Sequence, residues 1–239
     1  MDTAKMKEHL GRTIVDRFVQ SGMKIGLGTG STAIHAVRRV GELVQSGELE
    51  RILAVSTSFG STLEAQRYGI PLRTMNDPDI DTRVDIAIDG ADEVDTRSLY
   101  LIKGGGGSLT REKIVGYRSS MFYVIVDESK LSNRLGTRHP LPVECIPEAS
   151  APVERALASL GCRPVLRMAK AKSGPVVTDN GNLIFDLDFQ GADFDAVALE
   201  TEINRIPGVL ETGLFTALER RVFVGRADGT IEELTVQTQ

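Results

Sequence analysis

Four consecutive glycines, Gly104 to Gly107, constrain this chain more than any other feature. They follow an apolar run, Leu99-Tyr100-Leu101-Ile102, and precede Lys113-Ile114-Val115-Gly116-Tyr117, whose apolar side chains recur at helical spacing. The order is buried strand, glycine turn, helix, with Ser108 placed to cap the helix. Glycine loses more conformational freedom on folding than any other residue and brings no side chain to a core. A run of four makes sense where main-chain N–H groups must approach something closely, such as a phosphate or a sugar oxygen. Lys103 at the strand end and Glu112 in the first helical turn flank the same small space. A glycine run by itself is more often a flexible surface loop, and two further stretches reverse that balance.

Upstream, short apolar strands alternate with helices. Residues 3–20 carry Ile14, Val15, Phe18 and Val19 on one helical stripe, and Ile34, Val37, Val40, Leu43 and Val44 form another. A third helix runs from a Ser/Thr-rich turn at Ser56-Thr57-Ser58 through Tyr68. Strands are predicted at Lys24–Gly28, Ile52–Val55, Val84–Ile88 and Met121–Val126, with a short edge strand at Pro71–Met75. This alternation predicts an α/β fold with a doubly wound, mostly parallel sheet. The strands end in polar clusters: Thr29-Gly30-Ser31-Thr32, Asp89-Gly90-Ala91-Asp92-Glu93, Lys103 with its glycines, and Asp127-Glu128-Ser129-Lys130. Open α/β sheets bind ligands off the carboxyl ends of their strands, so these clusters are expected to converge there.

After Leu135 the texture changes. His139 to Pro147 is proline-punctuated and extended. A helix (Val153–Leu160), a strand (Arg163–Met168), a strand ending at Thr178 and a returning strand (Leu183–Leu187) follow. The Asn180-Gly181 pair is a hairpin signal. A helix (Ala196–Ile206) and a last strand (Val209–Phe215) complete a β-α-β-β-α-β order, the ferredoxin-like pattern, in an α+β unit of about 80 residues. The tail, Arg221–Gly225 and Ile231–Val236, reads as a hairpin that completes the first sheet. The expected division is a core of residues 1–135 and 216–239 with 136–215 inserted.

Composition removes several functions. The net charge is −5, which gives no general pull toward nucleic acid or an anionic membrane. Aromatic residues make up 5% with no Trp, against base-stacking platforms. Cys145 and Cys162 have no metal spacing and read as reduced thiols of a cytoplasmic protein. The first 20 residues mix charge throughout and carry no secretory apolar segment. No apolar run nears the ~20 residues of a membrane-spanning helix.

Each cluster suits a chemical task. The Gly26–Thr32 loop matches neither the dinucleotide fingerprint, since Ser31 stands where the third glycine belongs, nor a P-loop, since no lysine follows. It keeps the strand, glycine turn, helix start and hydroxyls that suit a phosphate monoester. Asp89 and Asp92 place two carboxylates three residues apart, fit for sugar hydroxyls or proton traffic between oxygens, with no calcium-loop spacing. Glu112 is the candidate base: N–H groups at a helix start favour its ionised form, and a closed pocket opposes it. Lys103 suits a developing enediolate oxygen and Lys130 a phosphate. His9, His35 and His139 form no pattern, and no metal site is expected.

Taken together, Gly-Leu-Gly-Thr-Gly-Ser-Thr, Asp-Gly-Ala-Asp-Glu and Lys-Gly-Gly-Gly-Gly-Ser-Leu-Thr-Arg-Glu, in this order, resemble the A-type ribose-5-phosphate isomerases. The resemblance continues through residues 126–130, 140–144, 177–182 and 206–209, and so spans nearly the whole chain. It implies a Rossmann-like core with an inserted ferredoxin-like lid, and interconversion of ribose 5-phosphate and ribulose 5-phosphate in the non-oxidative pentose phosphate pathway. It implies no cofactor and no metal, and a cytoplasmic homodimer or tetramer with neither nucleic-acid nor membrane partners. Carried over by position, Thr29, Gly30, Ser31, Thr32, Asp89, Gly90, Ala91, Asp92, Lys103, Gly104, Gly105, Gly106 and Lys130 contact the substrate. Glu112 accepts the proton, and Asp89, Asp92 and Lys103 assist. The departures, Ser108 and the Thr57–Phe59 segment, are expected to touch none of these groups. An isomerase or deaminase of another sugar phosphate is the nearest alternative. A sugar-phosphate sensor would carry a DNA-binding module, for which the ~20 non-basic residues before the first strand leave no room.

Overall fold

The computed structural model describes residues 1–235. In chain order it contains α1 (Thr3–Phe18), β1 (Lys24–Leu27), α2 (Ala33–Ser46), β2 (Leu53–Ser56), α3 (Phe59–Arg67), β3 (Leu72–Arg73) and β4 (Val84–Asp89). Then come β5 (Glu93–Asp95), β6 (Leu101–Ile102), α4 (Leu109–Tyr117), β7 (Ser119–Asp127), β8 (Leu131–Ser132) and β9 (Leu141–Cys145). The remainder is α5 (Ser150–Ala158), β10 (Arg163–Leu166), β11 (Leu183–Asp188), α6 (Ala196–Asn204), β12 (Val209–Thr212), β13 (Leu214–Phe215), β14 (Arg220–Gly225) and β15 (Ile231–Leu234). The expected end of the tail strand, Val236, lies outside the described residues.

Two compact units emerge, one of Met1–Ala91, Arg111–Lys130 and the chain from Leu218 onward, the other of Asp92–Thr110 and Leu131–Ala217. In the first, seven strands form one sheet in the order β15-β14-β7-β4-β1-β2-β3. Every neighbouring pair is parallel except the β14–β15 hairpin. Helices cover both faces, and β1 shows why. Ile25 and Leu27 pack in one apolar cluster with Leu10 and Ile14 of α1 and Val37 and Val40 of α2. Gly26 points the other way, where an added Cβ would lie 2.6 Å from Val115 of α4. Near the β14 edge, the Phe18 and Tyr123 rings meet at 4.6 Å, and both stand 5.5 Å from Phe223. Ser58 begins α3 by a reciprocal cap with Ser61, so the Ser/Thr turn after β2 is a helix start.

The second unit holds an antiparallel sheet, β10-β11-β9-β12, whose strands are joined through α5 and α6. A smaller sheet, β13-β6-β5-β8, lies in the same unit. Three details depart from the sequence reading. The strand expected to end at Thr178 is reduced to one bridge between Met168 and Pro175, because Lys170 to Gly174 lack apolar alternation and Pro175 has no N–H. The Asn-Gly turn still forms, closed by Thr178 N–H to Asn182 O at 2.8 Å. The strand expected over Val209–Phe215 breaks at Gly213 and enters two sheets, since a Cβ there would sit 2.3 Å from Lys103 O. Leu99 precedes rather than joins β6, turning at φ 58° with its N–H on Asp95 O.

Cys145, fully buried in β9, has its thiol pushed up to about 11 by burial and by the adjacent Glu144 carboxylate. At pH 8 the thiolate is then roughly one part in a thousand. An aromatic disulfide reagent at pH 8 is expected to leave Cys145 unmodified in the folded protein and to react with it at once in denaturant. Rapid labelling of folded Cys145 would contradict this packing.

Candidate active site

In the first unit the phosphate-type loop is stitched to β4. Asp89, 1% exposed at the end of that strand, accepts through Oδ1 from the N–H groups of Thr29 at 2.9 Å and Gly90 at 2.8 Å. The approach needs Gly28, where a Cβ would lie 2.4 Å from both Asp89 Oδ1 and Ile88 O. Thr29 Oγ1 reaches Thr57 Oγ1 at 2.8 Å and Ser58 Oγ at 2.7 Å, tying the loop to the β2–α3 turn. The Thr57–Phe59 segment therefore does touch a candidate site residue, against the sequence expectation, because the turns after β1 and β2 lie side by side. Gly30 takes φ 101°, open to glycine at no steric cost, and Thr32 stands at the N-cap of α2 with no side-chain cap bond. The Ile34 and His35 amides of the first turn of α2 donate to Gly30 O at 3.1 Å and Thr32 O at 3.2 Å, so the loop and the helix start close on each other, with the partial positive charge of the helix N-terminus behind the turn.

Other chemical groups of this unit lie on separate elements. Glu112 occupies the first turn of α4 and is 5% exposed. Lys130 ends a short 3-10 turn after β7. Lys7 of α1, which sequence reading missed, brings Nζ to 3.0 Å from Ser31 Oγ and 3.5 Å from Asp127. Burial would raise the Asp127 carboxyl, but the Ser129 hydroxyl and amide and the charges of Lys7 and Lys130 hold it below the usual carboxylate range. Local sequence carries no signal for Lys7, since its partners lie 24 and 120 residues away. A groove of about 800 Å³ in this unit is walled by Phe59, Gln66, Arg73, Met75, Arg111 and Ile114 among others, and by none of the expected site residues.

The second unit carries Asp92, Lys103 and the glycine loop. Asp92 Oδ2 accepts from Gly105 N–H at 2.6 Å, and a Cβ on Gly105 would collide with that carboxylate at 2.6 Å. Gly104, at φ 102°, accepts at its carbonyl from Gly107 N–H at 2.9 Å, while Gly106 is exposed. Lys103 is 2% exposed, with Nζ 5.8 Å from the centre of the Phe215 ring. Two motif carboxylates are structural. Glu93 accepts from the amides of Gly136, Thr137, Arg138 and His139, all within 3.0–3.2 Å. Glu144, fully buried, accepts from Thr110 Oγ1 at 2.5 Å, Thr178 Oγ1 at 2.7 Å, Asn182 Nδ2 at 2.9 Å and Asn180 Nδ2 at 3.1 Å. The motifs at residues 140–144 and 177–182 thus meet at the residue two before Glu112 in sequence.

The structure therefore joins Thr29, Asp89 and Gly90 in one network, with Gly30, Ser31 and Thr32 in the same loop, Lys7 on Ser31, and Ala91 next to Gly90 in sequence. It joins Asp92 to the Lys103–Gly106 loop in another. Among the described residues no group of three His, Cys, Asp or Glu is placed to hold a metal ion, and no helix is long and apolar enough to cross a membrane.

These features define a mixed α/β protein whose mostly parallel sheet ends in polar turns. The sequence model for ribose 5-phosphate isomerase A (phosphoriboisomerase A) matches residues 53–229. Ribose-5-phosphate isomerase A of a Synechococcus species is 54% identical over 94% of each chain. The solved ribose 5-phosphate isomerase A of Methanocaldococcus jannaschii superposes at TM-score 0.90, with 46% identity over 98% of this chain and 100% of that one. A D-ribose-5-phosphate isomerase in complex with phospho-erythronic acid superposes at 0.91, with 40% identity over 98% and 99%. The chain belongs to the ribose 5-phosphate isomerase A family.

The Gly28 contact yields a direct test. Gly28→Ala overpacks the β1–β4 seam, at a cost of about 1–3 kcal/mol in urea unfolding. The Thr29 amide is expected to lose much of its protection from hydrogen exchange. Wild-type stability and protection in that variant would show that Asp89 does not hold the loop.

Proposed function

We propose that this protein interconverts D-ribose 5-phosphate and D-ribulose 5-phosphate. Family membership over nearly the full chain carries the reading, and the buried Asp89 network that organises the Thr29–Thr32 turn supports it. In this reading the turn holds the phosphate, with its hydroxyls, the positive end of α2 and the ammonium groups of Lys130 and Lys7 opposing the phosphate charge. Asp89 and Asp92, with Lys103, assist ring opening and position the O1 and O2 oxygens. Gly90, Ala91 and Gly104 to Gly106 line the sugar with main chain.

Glu112 then acts as general base. Its carboxylate takes the C2 hydrogen as a proton, the C–H electrons form the C1–C2 double bond, and the carbonyl electrons move onto O1, giving a cis-enediolate. The proton returns to C1, the O2 hydroxyl loses its proton as the new carbonyl forms, and O1 gains one. Lys103 and glycine-loop N–H groups stabilise the developing oxyanion. The α+β segment at residues 136–215 serves as the lid, and the family reading extends to a cytoplasmic assembly of two or four copies.

The experiment is incubation with ribose 5-phosphate, ketose being read by its own absorbance or by coupled reduction, beside a panel of other phosphosugars. Ketose should form from ribose 5-phosphate well ahead of the rest, and binding without turnover would remove the reading. Lys103→Met should keep the fold and lower kcat by about 10²–10³, the usual cost of one preorganised oxyanion donor.

A further inference from the structure

The glycine loop is gripped by a side chain that no step above uses. Arg167 directly follows β10, and its guanidinium forks across one carboxylate and two carbonyls. Nε and Nη2 donate to Asp186 at 2.8 and 2.5 Å, while Nη1 donates to Gly104 O at 2.9 Å and Gly105 O at 3.2 Å. Only 15% of the Arg167 side chain and 22% of the Asp186 side chain remain exposed. Asp186 stands on β11 opposite Val165, and the Arg167 amide donates to Ile184 O at 2.8 Å, so both members are fixed by the ladder.

The geometry gives this contact a specific consequence. Gly104 C=O and Gly105 N–H are the two ends of one planar peptide group. One end takes the Arg167 cation and the other donates at 2.6 Å to Asp92. A charge on the oxygen polarises the peptide and strengthens the bond made by its N–H. It also fixes the plane of a peptide between two glycines, which has no side-chain contacts of its own to do so. Lysine offers a point charge and cannot reproduce a fork that spans a carboxylate and two carbonyls.

We propose that Arg167 is a positioning residue, which sets the orientation of the Asp92 carboxylate by pinning the Gly104–Gly105 peptide between them. The consequence for catalysis rests on the reading of Asp92 as a substrate contact, while the pinning itself does not.

Two readouts separate these. In nuclear magnetic resonance of the ligand-free protein, the Gly105 amide proton should lie far downfield, and both Arg167→Ala and Asp92→Asn should move it upfield. This needs no turnover, so it stands or falls independently of the isomerase activity. In steady-state assays Arg167→Ala should lower kcat by roughly 10- to 100-fold, the scale of a small misplacement of a reacting group, with little change in KM. Free guanidinium should restore part of the loss, and Arg167→Lys should restore less than guanidinium does. Added to Asp92→Asn, the Arg167 change should cost little more, because both act through one carboxylate. If Arg167→Ala does not fold, Arg167→Lys carries the same amide-shift and double-mutant tests. An unmoved Gly105 amide, or full additivity with Asp92→Asn, would overturn the proposal.

Discussion

One carboxylate oxygen organises the polar turns at the strand ends of the first unit. Asp89 Oδ1 receives the N–H groups of Thr29 and Gly90 at once, so two strands that are neighbours in the sheet have their following turns tied at a single atom. The bond forms only because Gly28 leaves room for it. Everything beyond inherits this constraint: the direction in which Thr29 reaches Thr57 and Ser58, the left-handed turn at Gly30, and the start of α2 at Ala33. A buried acceptor with two amide donors is a satisfied one, and removing it would strand those amides at a cost of about 1–3 kcal/mol each.

The second unit solves a different problem. A run of glycines has no side chains with which to hold itself, and here its shape is imposed by neighbours. Asp92 takes one N–H, Arg167 takes two carbonyls, and Glu144 anchors Thr110 where the loop passes into α4. Glycine is required at Gly105 for close approach to Asp92 and at Gly104 for its positive φ. The loop thus combines backbone that can approach a ligand with an external frame that keeps it ordered, which is the arrangement that preorganised catalysis needs.

Much of this was legible in the residues. Short apolar runs and a period-3.6 pattern located β1, α2, β4 and β7 within a residue or two, and the glycine, hydroxyl and aspartate clusters marked the strand ends. Elements of two or three residues, such as β5 and β8, carry no periodicity, and their parallel pairing joins segments far apart in the chain. Gly213 looked like an ordinary strand interior, although it is where one sheet ends and another begins. Lys7 and Arg167 were missed for a common reason: a lone cation on a helix face or beside a strand shows nothing local, and its role appears only when its partners arrive from elsewhere in the sequence. Glu93 and Glu144 illustrate the converse, motif carboxylates whose buried bonds to main chain and to neutral side chains give them a structural task.

The proposed reaction turns on Glu112 as the group that moves the carbon-bound proton. The most direct measurement sets Glu112→Gln beside the unaltered protein, reading both the binding of ribose 5-phosphate and the rate of ketose formation from it. The amide preserves shape and removes the base, so affinity should hold while kcat falls by about 10²–10⁴. Near-full turnover in that variant would contradict the assignment.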